Sequence, residues 1–422
     1  MKDIALTDHL GRPRVVVTGM GMVTALGLNL AESWAGLTAG RSGVRDITRF
    51  DTTGMRTRFG ACVDLPGDRP GRPLPAGERV ATLGAMAFDE ALAQAGLTAP
   101  IAGPFCFGMP PIEIEWPART AIREAATGAD GMAMTLSAAE LPGQVAGGEL
   151  FSPAVVLARR YGTRGIPQAV TTACASGGTA IQLATEALRR GEASVALAGG
   201  AEASMTPETL IRFALLHALS NRNDDPAAAS RPFSLSRDGF VMGDGAGALV
   251  LETMEHALAR GATVLGEILG VGERADTFHR TRSSPDAVPV AGVMQDAIAD
   301  SGLPPEVFGY INAHGTSTPE NDKTEAMAIH MVFGEVAPPT SSTKSMIGHT
   351  LSAAGAIEAV ICLMALRDQL LPPTINQDDT DPALNLDVIP HQARAVTGVK
   401  AALSNSFGFG GQNVCVALGV GL

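Results

Sequence analysis

Three side chains in this sequence could do chemistry together: Cys174, His314 and His349. Cys174 stands in V-T-T-A-C-A-S-G-G, after the short apolar run Ile166–Val170 and before Thr179–Arg190. In the latter stretch Ile181, Ala184 and Leu188 recur at helical spacing. Strand, small-residue turn and helix would put the thiol at a helix N-terminus, where unpaired N–H groups and the helix dipole favour a thiolate. Taken alone, a cysteine among Ala and Gly is more often a packing residue, because cysteine is among the most buried residue types. His314 lies in N-A-H-G-T-S-T and His349 in K-S-M-I-G-H-T. Both follow short strands, where α/β folds place their sites. Neither has metal-motif spacing, so no zinc site is expected, and a lone turn histidine is most often simply hydrogen-bonded. A thiol with two neutral imidazoles suits acyl transfer without water. The sulfur would attack a thioester and hold the acyl group, and two N–H donors would stabilise an enolate. A Cys-His-Asp protease would use one histidine as base and leave the other idle.

The elements that must position these groups follow from the rest of the chain. Its 422 residues suffice for two domain-sized units, and 45% hydrophobic residues with 49 glycines suit a tightly packed α/β protein rather than disorder. A net charge of −12 argues against nucleic acid as a partner, although a local basic patch could still recruit an acidic one. Five scattered cysteines without a CxxC pair argue against a disulfide scaffold and for a reducing, cytoplasmic setting. The first residues show no apolar h-region, and the apolar run 353–366 is broken by Glu358, so neither a secretory signal nor a membrane span is expected.

In order, the chain reads as strand Arg14–Thr18, a glycine turn at Gly19 and Gly21, and helix Asn29–Leu37. Those glycines do not make G-x-G-x-x-G, so close helix–strand packing explains them better than a dinucleotide site. Helix Arg79–Ala95, strand Phe105–Gly108, a loop or edge strand at Met109–Pro117, and helix Phe151–Tyr161 follow. Beyond Cys174 come strand Ala193–Ala201, helix Glu208–Leu219 and a glycine-rich turn into a strand that ends at Glu252. The second half repeats the alternation, with strands Thr263–Gly272, Tyr310–Ala313, Val399–Ser404 and Asn413–Ala417. Its helices are Val290–Asp300, Lys323–Phe333 and Ser352–Leu366. The endings G-F-V-M-G-D-G-A-G-A-L-V-L and G-F-G-G-Q-N-V-C-V-A-L look related. They suggest a duplicated α/β unit. The expected halves are residues 1–260, carrying the cysteine, and 261–422, carrying both histidines.

The motifs T-A-C-A-S-G, R-P-F-S-L-S-R-D-G-F, A-H-G-T-S-T, K-S-M-I-G-H-T and G-F-G-G-Q-N occur in that order over nearly the whole chain. In combination they resemble the elongating β-ketoacyl-acyl-carrier-protein synthases, condensing enzymes of the thiolase superfamily. The resemblance implies a thiolase-like α/β fold, in which two βαβαβαβαβ halves make a five-layered α-β-α-β-α core, and a homodimer. It implies decarboxylative condensation of an acyl thioester, held on Cys174, with malonyl-acyl-carrier protein to give 3-oxoacyl-acyl-carrier protein. Fatty acid or specialised long-chain lipid elongation would use such a reaction. The substrates would ride on the 4'-phosphopantetheine of an acyl-carrier protein, with no cofactor and no metal.

By the same resemblance His314 and His349 handle decarboxylation and the enolate. Lys344 supports the site electrostatically, with Glu358 as its carboxylate partner. The N–H groups of Cys174 and Phe409 make the oxyanion hole. Phe409 is also a gate, with Phe407 beside it. Thr316 and Thr318 contact the phosphopantetheine arm, and Asp322 orders their loop. Arg212 is the expected carrier-docking residue, with Arg56, Arg58 and Arg282 as further contributors. A polyketide-type ketosynthase and a non-condensing decarboxylase or scaffold partner are the alternatives. A degradative thiolase would need a second catalytic cysteine near the C-terminus, but Cys415 sits in strand alternation and reads as core. Initiating synthases use Cys-His-Asn, which His349 argues against. Ala175, Gln412, Pro319-Glu320-Asn321-Asp322 and the segment Pro110–Pro117 depart from the usual pattern. They leave chain length open, with a very-long-chain or secondary-lipid synthase as one expectation.

Overall fold

Ten strands carry the fold, and most are buried on both faces, which is why they read as apolar runs rather than as alternation. The structure is a computed structural model that describes residues 4–68, 74–127 and 152–421. Phe151, the expected first residue of a helix, and the side chain of Pro117 lie outside the described residues. The first five strands are β1 (Val15–Thr24), β2 (Phe105–Gly108), β3 (Gln168–Val170), β4 (Val195–Glu202) and β5 (Gly245–Thr253). The second five are β6 (Gly266–Ala275), β7 (Phe308–Asn312), β8 (Thr340–Ser341), β9 (Ala401–Phe407) and β10 (Gln412–Gly419).

The spatial order is β3-β2-β4-β5-β1 in one half and β8-β7-β9-β10-β6 in the other, the same order with every label advanced alike. The directions repeat too. β2 runs parallel to β3 and β4, while β4–β5 and β5–β1 are antiparallel. β7 runs parallel to β8 and β9, while β9–β10 and β10–β6 are antiparallel. The halves join where Val15–Val17 of β1 pair antiparallel with Gly266–Ile268 of β6.

Six of the helices build the layers or carry site residues: α1 (Ala76–Ala95), α2 (Ser176–Arg189), α3 (Pro207–Leu215), α4 (Val288–Ser301), α5 (Pro319–Phe333) and α6 (Ala354–Asp368). Every residue from Ala354 to Leu366 is buried. A helix that is apolar all round belongs inside a core, and α6 packs on β4 and β5 of one half and on β9 and β10 of the other. It also packs on α2, which itself lies on β2, β4 and β5. Outside, α1 covers β1 and β5, and α4 covers β6 and β10. Helix, sheet, the α2–α6 pair, sheet and helix are the five layers.

Several sequence expectations shift in the structure. The glycine turn after Thr18 does not exist: β1 runs on to Thr24, with a bulge between Val17 and Gly19. Gly19 and Gly21 are small because a Cβ there would strike the carbonyls of Ala91 and Ala87 on α1. The helix expected to reach Leu219 stops at Leu215, and α2 starts at Ser176 rather than Thr179. Residues 109–115 are irregular, as expected, but a helix that was not foreseen starts at Trp116 and runs to Ala125.

Candidate active site

β3 delivers the chain to a single 3-10 turn, Ala173–Ala175, from which α2 continues. Ser176 Oγ stiffens this turn, accepting from the Thr172 N–H at 2.9 Å and donating to the Ala173 carbonyl at 2.6 Å. Ala173 is held at φ +50°, a conformation that costs a non-glycine residue about 1 kcal/mol or more and clusters at functional sites. Gly177 and Gly178 have no room for a side chain, since a Cβ would meet Ala356 of α6 or Val414 of β10. The small residues around Cys174 therefore serve the close approach of α6. Cys174 is buried, at 7% exposure. Burial pushes its thiol up to about 12, while the N–H groups of Phe409 and of Cys174 itself, and the charge of Lys344, pull it back. The helix N-terminus is present as expected, but desolvation outweighs it. The resting group is a thiol, not the favoured thiolate.

His314 follows β7 and His349 follows the short helical turn Lys344–Ile347. Their rings meet edge to face with centroids 5.2 Å apart, and Phe407 and Phe240 flank them at 5.4 Å each. One donor atom each from Cys174, His314 and His349 lies within 4.8 Å of the others. That is close enough to converge on one reacting carbon. The same set could hold one soft metal ion. Burial holds both imidazoles well below the ordinary histidine range, and the Lys344 charge adds to it. Both are neutral at neutral pH. Leu351 N–H donates to His349 Nδ1 at 3.3 Å, so the ring proton sits on Nε2, ready to donate. His314 Nδ1 has no hydrogen-bond partner among the described residues.

A group that the sequence did not reveal fixes the His314 turn. Glu325 of α5 is buried, and its two carboxylate oxygens accept the N–H groups of His314 at 2.8 Å and Gly315 at 2.7 Å. Gly315, at φ +36°, leaves no space for a Cβ beside Ser342. Lys344 and Glu358 form a buried ion pair, with Nζ donating to Oε1. Burial raises the Glu358 carboxyl, and Lys344 opposes that rise. Asp322 is fully buried and accepts the Phe233 N–H at 2.8 Å. It thus ties the R-P-F turn to the start of α5. Thr316 and Thr318 share a hydrogen bond of 2.9 Å.

Two cavities reach Cys174. The first, about 390 Å³, is bordered by Thr316, Thr318, both histidines, Phe407 and Phe409, with Arg282 and His217 further along its wall. The second, about 340 Å³, runs past Ala173, Leu351, Phe213 and the 110–115 segment. Phe409 borders both, at the junction. Arg212 borders the second cavity, not the first, and its guanidinium is engaged by Glu113. It therefore offers no free charge beside Thr316 and Thr318. Arg282 lines the first cavity instead. Ala175, expected at the pocket, is packed in the main core, and Ala173, two residues earlier, faces the cavity.

Comparison with known proteins agrees with this geometry. The family model described as "Beta-ketoacyl synthase, N-terminal domain" matches residues 12–69 and 126–257, and "Beta-ketoacyl synthase, C-terminal domain" matches 265–378. The N-terminal match passes over the stretch containing P-P-I-E-I-E-W. The chain is 39% identical to 3-oxoacyl-[acyl-carrier-protein] synthase 2 of Vibrio cholerae, over 96% of this chain and 98% of that protein. It is 40% identical to the protein of the same name from Synechocystis, over 97% and 98%. A solved ketosynthase in complex with its type II PKS acyl-carrier protein superposes with TM-score 0.85 at 32% identity, covering 97% of this chain and 99% of that one. The duplicated fold, the convergence of one thiol and two imidazoles, and these matches place the chain in the beta-ketoacyl synthase family.

Proposed function

We propose that this protein elongates acyl chains by decarboxylative condensation on an acyl-carrier protein. The observation that carries the reading is the thiol under two amide N–H groups, facing two neutral imidazoles. Cys174 Sγ attacks the acyl thioester, an S–C bond forms, and the carrier sulfur leaves with the thiol proton. The Phe409 and Cys174 amides hold the oxyanion. The malonyl thioester then enters along the Thr316–Thr318 cavity. Its C–C bond breaks, CO₂ leaves, and the electron pair moves onto the thioester oxygen, where His314 and His349 donate. The enolate carbon attacks the acyl carbon, the Cys174–acyl bond breaks, and the sulfur takes up a proton. Neutral imidazoles suit this order. An imidazolium would bind the malonyl carboxylate and stabilise the ground state.

Incubating the protein with acyl-carrier thioester should add one acyl mass at Cys174. Malonyl-carrier protein should then yield a 3-oxoacyl product and CO₂. Absence of the acyl adduct would reject the reading. The presence of Cys174 and both histidines favours a condensing enzyme over a non-condensing decarboxylase or scaffold.

The carrier would dock near Arg282 and His217, at the mouth of the first cavity. A homodimer would cover the open edge of β3, where Gln168 and Ala169 are exposed and Ile166 stands 84% exposed. Five unpaired cysteines fit a reducing compartment such as the cytoplasm. No helix among the described residues is long and apolar enough to cross a membrane.

The charge of Lys344 adds to the burial that keeps the imidazoles neutral, and its part has a measurable sign. In the double variant Lys344→Met/Glu358→Gln, which avoids leaving a buried carboxylate unpaired, a positive charge beside each ring is lost. The imidazole pKa values then rise. The acid limb of the decarboxylation pH profile should move to higher pH, so that activity on the acid side falls more than activity at pH 8. A profile that keeps its shape would assign Lys344 to another role.

A further inference from the structure

The backbone of His349 is held from one side by the segment that leads into β5. The His349 N–H donates to the Val241 carbonyl at 2.6 Å, and the Gly243 N–H donates to the His349 carbonyl at 2.9 Å. The approach is close. A Cβ at Gly243 would come within 2.4 Å of the Ile347 carbonyl oxygen, and one at Gly348 within 3.0 Å of the Val241 and Met242 carbonyls. A shift of residues 241–243 therefore moves His349 with it. On its other side the segment is backed by Ala61. The Ala61 N–H donates to the Met242 carbonyl and the Ala61 carbonyl accepts the Asp244 N–H, both at 2.9 Å.

Behind this ladder lies a charged cluster that the chemistry does not touch. Asp244, Arg49 and Arg79 are all buried. One Asp244 oxygen, Oδ2, accepts from Arg49, from the Val63 N–H at 3.1 Å and from Arg79 at 3.3 Å. Both guanidinium groups also donate to the Val63 carbonyl, Arg49 at 3.1 Å and Arg79 at 2.8 Å. Asp68 takes the other arm of Arg79, so two cations face two carboxylates. Residue 49, residues 63–68 and the first turn of α1 thus converge on the residue next to Gly243. Burying such charges is costly, and apolar residues of like volume often serve stability as well or better. Stability alone therefore does not call for the cluster.

We propose that Arg49, Arg79 and Asp244 are positioning residues for His349. The proposal rests on the reading that His349 donates to the enolate oxygen during decarboxylation. The cluster fixes residues 241–244, these fix the His349 backbone, and the Leu351 N–H sets the ring. Cys174 is held by its own 3-10 turn, so acyl loading does not draw on the cluster. Misplacing a reacting group by about 1 Å costs a rate factor of about 10².

The test uses Arg49→Met/Asp244→Asn, which removes one charge of each sign and leaves the Arg79–Asp68 pair. CO₂ release from malonyl-carrier protein, measured in the Cys174→Gln background, should fall by about 10- to 100-fold. The acyl adduct, measured with Cys174 present, should form at an unchanged rate. In the His349→Ala background the same double substitution should lower CO₂ release no further, because its effect runs through that ring. In the His314→Ala background it should still lower it. Arg49→Lys keeps the charge but loses the fork that spans Asp244 and Val63. It should show the same pattern with a smaller loss, and it carries the test if the double variant does not fold. Unchanged CO₂ release, an equal loss of loading and CO₂ release in folded protein, or an undiminished loss in the His349→Ala background would each overturn the positioning role and leave condensation standing. If His349→Ala alone leaves CO₂ release unchanged, the reading of His349 fails and the proposal with it.

Discussion

Cys174→Ala should lower condensation by roughly four orders of magnitude or more, the scale expected when a covalent nucleophile is lost. The structure makes a finer statement through Cys174→Gln. The amides of Phe409 and residue 174 point at the sulfur position. A glutamine side chain puts a carbonyl oxygen there, where the acyl oxygen of the loaded enzyme would be. Phe409 borders both cavities beside that point. Cys174→Gln should therefore release CO₂ from malonyl-carrier protein without making any 3-oxoacyl product. Cys174→Ala, lacking the carbonyl, should release less. Radiometric CO₂ and product mass measured on the same samples separate the two activities. Loss of CO₂ release in both variants, with folding intact, would mean that the thiol takes part in decarboxylation itself. It would contradict a division of labour between the sulfur and the imidazoles.

How far these groups could be read from the sequence depended on the range of the interaction that fixes each one. The halves were legible because both glycine-rich endings precede strands, and β5 and β10 do occupy equivalent places in the repeated order. Cys174, His314, His349 and Lys344 were legible because each sits in a local motif on one turn. Glu325 was not. It lies in K-T-E-A-M-A, an ordinary helical stretch, and acquires meaning only when α5 folds back under the His314 turn. The protonation of Cys174 was misread for a related reason. Sequence shows the helix that follows, but the burial that dominates comes from α6 and the β9–β10 loop, far along the chain. Ala175 was placed on the wrong face because a 3-10 turn rotates successive residues by about 120°, so Ala173 and Cys174 face the cavity while Ala175 turns into the core.

Glu325 and the tautomer of His349 together predict the second large effect. His314→Ala and His349→Ala should each slow decarboxylation by about 10²–10³, the range for removing one donor to a developing oxyanion. Acyl loading should survive in both, since the Phe409 and Cys174 amides that serve it are untouched. Both imidazoles act on a single oxygen, so the double variant should cost much less than the product of the two losses. CO₂ release measured in the Cys174→Gln background isolates this step from loading, and acyl-adduct mass in the Cys174 background reports loading alone. The reverse pattern, in which the adduct is lost and CO₂ release kept, would make an imidazole the base for the thiol, a role that its neutral, desolvated state would otherwise allow. Glu325→Gln discriminates further. It leaves the His314 ring present but replaces one acceptor oxygen by an N–H₂ group facing the turn's own N–H. If His314 must be aimed rather than merely present, this variant should lose decarboxylation while still forming the acyl enzyme, and its pH profile should keep the wild-type acid limb because the charge of Lys344 is unchanged.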